Sequence, residues 1–85
     1  MNGEQKRFVL LRVDARYWQI LDRRYLPTDT RHAVAWIRET GEGRVRVDWS
    51  RATPLPVVYG TAIEALDDFR RWTDQSVGGG SRSAP

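Results

Sequence analysis

The stretch Gly60-Thr-Ala-Ile-Glu-Ala-Leu-Asp-Asp-Phe-Arg-Arg-Trp72 constrains the fold more than any other part of the chain. Thr61 stands three residues before Glu64, the spacing of a capping box, in which hydroxyl and carboxylate satisfy the free N–H groups of a helix start. Ala62, Ala65, Leu66, Phe69 and Thr73 then recur at helical spacing, with Trp72 at the edge of the stripe. This predicts an amphipathic helix from 61 to about 74 that needs another element to cover its apolar side.

A second segment, Thr28-Asp-Thr-Arg-His-Ala-Val-Ala-Trp-Ile-Arg-Glu-Thr-Gly41, has the same grammar. Thr28, Asp29 or Thr30 can cap a helix, Gly41 can end one, and Ala33, Val34, Trp36, Ile37 and Thr40 form an apolar side. With Asp29 set on Thr61, Ala33 meets Ala65, Val34 meets Leu66, Ile37 meets Phe69 and Arg38 meets Arg70. A helix built twice is the expectation.

Strand signals agree with such a duplication. Arg44-Val-Arg-Val-Asp-Trp49 alternates, with Val45, Val47 and Trp49 on one face and Arg44, Arg46 and Asp48 on the other. Arg12–Tyr17 lies at the same offset in the first half. Prolines demote 54–56 to an edge or loop, and 57–59 can pair. The segment 8–22 reads as a hairpin turning at Asp14–Arg16, as one long bent strand or, from its dense apolar residues, as a helix. The expected fold is therefore α+β: a small antiparallel sheet with two helices on one face, in tandem ββα-ββα order. One domain spans 7–75, after a loose N-terminus (1–6) and before a disordered Gly/Ser-rich tail (76–85).

Chemistry is sparse. There is no cysteine, so no disulfide, thiol nucleophile or thiolate metal site. His32, the one histidine, lacks the nucleophile and orienting carboxylate of a catalytic imidazole, and reads as a polar helix residue beside Asp29. Ser50, Ser76, Ser81 and Ser83 fall in a loop or the tail, and Asp67 and Asp68 point about 100° apart on a helix. No metal-ligand spacing is present. The expectation is a non-enzymatic protein without cofactor or metal. The N-terminus has no signal-like apolar run, and no stretch has membrane-spanning length, as for a cytoplasmic protein.

Binding is what remains. The formal charge is +3, with thirteen arginines to one lysine. A GC-rich genome, such as many bacteria have, explains that bias as readily as phosphate recognition does. If two helices cover one sheet face, the other lies open. By the parity of 44–49, Arg44 and Arg46 project from that face; the repeat adds Arg12, while Arg23 and Arg24 lie nearby, and Tyr17 or Trp18 must face outward. Arginines neutralise phosphates and aromatic rings stack on bases, so Arg12, Tyr17, Arg23, Arg24, Arg44 and Arg46 are the candidate nucleic-acid or partner-binding residues. Cross-strand salt bridges to Asp14, Asp22 and Asp48 are the competing explanation. An apolar patch on the same face would instead suit a protein partner or a second copy of the chain, as in an adaptor, inhibitor or antitoxin-like protein.

Overall fold

The computed structural model describes residues 7–82, with side chains for 7–75. The expected loose N-terminus, 1–6, lies outside the described residues. So do residues 83–85 and the side chains of 76–82, on which the expected tail falls.

Among the described residues, five strands form one antiparallel sheet in sequence order: β1 (Phe8–Asp14), β2 (Tyr17–Asp22), β3 (Ala33–Glu39), β4 (Val45–Trp49) and β5 (Val58–Tyr59). One helix, α1 (Ala62–Arg82), follows. The tandem ββα-ββα arrangement is thus overturned: the sheet is a simple meander, and one C-terminal helix covers it instead of two.

The error lies in residues 28–41, where a strand replaces the expected first helix. Ile20 pairs with Ala35 but Leu21 with Ala33, so Val34 is an extra residue in β3. Val34 and Ala35 are consecutive and both fully buried, which breaks the period of two and produces spacing that mimics a helix. The supposed cap serves a turn: Asp29 Oδ1 accepts the Arg31 N–H at 2.9 Å, and the Asp29 carbonyl accepts that of His32 at 3.0 Å. Gly41 (φ 90°) and Gly43 (φ 76°) are left-handed, as a helix end would require, but they turn the chain from β3 into β4. His32 also sits in a turn, its Nδ1 donating to the Tyr25 carbonyl at 2.9 Å.

Elsewhere the local signals hold. The ambiguous segment 8–22 is a hairpin turning at Ala15–Arg16, where Asp14 Oδ1 accepts the Arg16 N–H at 2.9 Å. Thr61 Oγ1 caps α1 by accepting the Glu64 N–H at 3.2 Å. The Glu64 carboxylate reaches back to the Gly60 N–H, at 3.0 Å, one residue earlier than a standard capping box. Ala62, Ala65, Leu66 and Phe69 are buried, and α1 lies against the two outer strands, β1 and β5. The sheet supplies Phe8, Ile20, Val34, Ala35, Ile37, Val45 and Val47 to the same core. Phe69 is its centre, with ring centroids 4.9 Å from Phe8, 5.5 Å from Trp49 and 5.7 Å from Trp72.

One buried charge is built into this layer. Asp22, fully buried at the end of β2, accepts both Arg7 Nε (3.0 Å) and Nη2 (2.9 Å), together with the Arg24 N–H (3.0 Å). Burial alone would push its carboxyl up; the Arg7 bonds and the Arg24 amide outweigh that and hold it below the ordinary range. A depressed folded-state value stabilises the fold above the unfolded value of about 3.9, and this contribution is lost as pH falls through the folded value. Arg7→Ala should therefore cost about 1.5–3 kcal/mol at neutral pH by stranding a charge-assisted pair. It should also flatten the acid limb of a melting-temperature profile taken from pH 6 to 2.

Candidate functional site

Because α1 occupies one face of the sheet, every side chain of opposite parity lies on the other. The pairing register arranges that open face in rows. Nearest the β3–β4 turn run Asp14, Tyr17, Arg38, Arg46 and Val58, each directly across from the next. The adjacent row is Leu11, Gln19, Trp36 and Asp48, followed by Val9 and Leu21. The first row thus sets two arginines beside an aromatic ring, with Asp14 beyond the ring on β1; the second mixes an aromatic ring with an amide and a carboxylate, and the third is aliphatic.

The first two rows make the one chemically distinctive patch on this face. Tyr17 and Trp36 are diagonal neighbours whose rings stack, with centroids 5.7 Å apart and planes 28° from parallel. Trp36 keeps 37% of its surface exposed. Together with Arg38, Arg46, Asp48 and Val57 they line a shallow depression of about 370 Å³. Strand geometry accounts for the placement: Ile37 and Val47 point into the core, so Trp36, Arg38, Arg46 and Asp48, their chain neighbours, point away from it.

Arg38 and Arg46 occupy directly opposed positions, an arrangement that costs stability because like charges face each other. Among the described residues neither makes an ion pair or a side-chain hydrogen bond. Other arginines are engaged. Arg7 pairs with Asp22, Arg31 with Asp29, Arg70 with Asp67 and Arg71 with Asp68. The Arg31 bonds hold the Asp29 carboxyl down at about 2. Tyr59 is likewise committed: its hydroxyl donates to Asp68 Oδ2 at 2.7 Å, and burial with that carboxylate pushes the phenol above its ordinary range.

Of the six residues expected to bind, the structure brings Tyr17 and Arg46 together on the open face, with Arg44 exposed at the adjoining β3–β4 turn. Arg12 is not with them. It pairs across from Trp18 on the helix side, its guanidinium 5.7 Å from that ring and donating to the carbonyls of Asp14 and Ala15. The expectation that Arg12 joins Arg44 and Arg46 is corrected, since it came from a repeat the fold does not contain. Arg23 and Arg24 follow the far end of β2, six and seven residues from Tyr17, which is about 20 Å or more along a strand. Arg24 rests 6.0 Å over Tyr25 there.

Trp36 and Arg38 were missed. Read as helix, Trp36 belonged to the apolar side; in β3 it faces outward. The signal that could have found them is Val34, Trp36 and Ile37, β-branched and aromatic residues that favour a strand. Among the described residues there is no group of three or more His, Asp or Glu side chains that could hold a metal, and no helix long and apolar enough to cross a membrane. Ser50 Oγ lies 2.7 and 2.8 Å from the carbonyl oxygens of Ala33 and Val34, so its hydroxyl is spent on the start of β3. Compared with protein-family models, curated proteins and solved structures, the chain gives no match.

Proposed function

We propose that the protein is a non-enzymatic binding module whose open sheet face takes single-stranded nucleic acid. The observation that carries this reading is the opposed pair Arg38 and Arg46, without acid partners among the described residues, beside the exposed Tyr17–Trp36 stack. Two guanidinium groups facing each other are stabilised by an anion between them, and a phosphodiester is an anion that brings a flat ring within reach of an aromatic neighbour. An unpaired base has a free face to stack; a base inside a duplex does not. The depression is shallow and open, as suits a chain passing over it more than a small enclosed ligand.

A salt titration tests the reading. With two phosphate contacts on a single strand, log affinity against log salt should have a slope of about −1.4, or near −2 if Arg44 adds a third. A duplex of the same sequence should bind more weakly. If neither a single-stranded DNA nor an RNA oligonucleotide binds at about 50 mM salt, where backbone contacts are strong, the reading fails.

A second reading draws on the aliphatic side of the same face. Leu11 is 46% exposed and Val13 47%, and the half-buried Val9 and Leu21 form the row beyond Leu11 on the open face. Such a strip suits a protein partner or a second copy of the chain. If the occupant is a second copy, the protein runs at twice its 9.8 kDa mass in sedimentation, and the association persists at high salt.

A further inference from the structure

The row next to the arginines carries an unused carboxylate. Asp48 lies directly across from Trp36, is exposed, and lines the same depression. Among the described residues its carboxylate accepts no hydrogen bond and pairs with no cation, although Arg46 is two residues away on its own strand. An acid on a surface meant only for phosphates is repulsive. Its position beside the exposed ring, one row away from the opposed arginines, gives it a different role.

Resting on the single-strand reading above, we infer that Asp48 selects the base that stacks on Trp36 and favours guanine. Neighbouring rows on one face of a strand are two residues apart, about 6.6 Å, close to the separation between a nucleotide's phosphate and its base. With the phosphate at Arg38 and Arg46, the base lies over the Trp36 row, and its edge turns toward β4 and Asp48. At neutral pH a carboxylate offers only acceptors, two oxygens side by side. Guanine answers with two adjacent donors, N1–H and the N2 amino group. Cytosine and adenine present a single amino group there, and uracil presents one N–H between two carbonyl oxygens that the carboxylate repels. The order of preference is therefore guanine first, cytosine and adenine between, and uracil last.

The experiment uses the full chain and fluorescein-labelled RNA heptamers of uridine whose central position is uridine, cytidine, adenosine or guanosine, followed by anisotropy at low salt. The guanosine heptamer should bind about fivefold or more tightly than all-uridine, the low end for a bidentate base contact. Asp48→Asn should remove that preference by raising the affinity for all-uridine, whose carbonyl oxygens the carboxylate no longer repels, and by weakening the guanosine heptamer, while the melting temperature holds. Equal affinity for all four heptamers, or a guanine preference that survives Asp48→Asn, overturns base selection by Asp48 and leaves the open-face reading standing. No binding to any heptamer overturns both.

Discussion

Phe69→Ala should remove a large part of the domain's stability. The ring is fully buried where α1 meets the sheet, edge-on to Phe8 and stacked on Trp49. Its removal deletes the contact that joins the helix to both β1 and β4 and leaves a cavity that three large rings cannot fill without moving. Phenylalanine-to-alanine changes in such cores cost about 3–5 kcal/mol. Domains of this length have a total stability of roughly 4–13 kcal/mol, at 0.05–0.15 per residue. At about 4–8 °C per kcal/mol, the melting temperature should fall by about 12–40 °C. A drop of only a few degrees by circular dichroism would mean that α1 does not hold the sheet in the way described.

The second large effect is on binding. Arg46→Glu should cut affinity for a single-stranded oligonucleotide by about tenfold or more, because one charge-assisted phosphate contact is lost and a repulsive one replaces it. The fold should respond in the opposite sense. Glutamate at 46 would stand directly across from Arg38 and convert an unfavourable like-charge pair into a favourable one, so the melting temperature should hold or rise. Changing both Arg38 and Arg46 to glutamate should abolish binding and restore the like-charge penalty. Divergence between stability and affinity is the useful feature of this pair, since a merely misfolded variant would lose both.

The parts of the molecule legible in the sequence are those whose local pattern has one interpretation. Thr61 and Glu64 followed by Ala65, Leu66 and Phe69 can be little but a helix start, and α1 begins there. Val45 and Val47 alternate with Arg46 and Asp48, and the valines are buried while the charged residues are exposed. Residues 28–41 have two interpretations. One extra residue at Val34 turns the alternation of a bulged strand into spacing that a helix shares, and Asp29 caps a turn with the same bonds that cap a helix. Half of the binding patch went with that segment, since Trp36 and Arg38 share a face with Tyr17 and Arg46 only once β3 lies between β2 and β4. Arg12 fails for a related reason: its face depends on the register with Trp18, which no local pattern encodes. Asp22, expected to pair with the arginines of the open face, is buried and pairs instead with Arg7, fifteen residues earlier, which reaches across the hairpin end.

The most direct test of the open-face account is a ¹H–¹⁵N chemical-shift map of the protein titrated with a single-stranded heptanucleotide. The account predicts that the Trp36 indole N–H and the amides of 17, 36, 38, 46 and 48 shift together and saturate, while those along α1 stay still. Perturbations gathered on α1, or around Arg23 and Arg24 at the far end of β2, would contradict it.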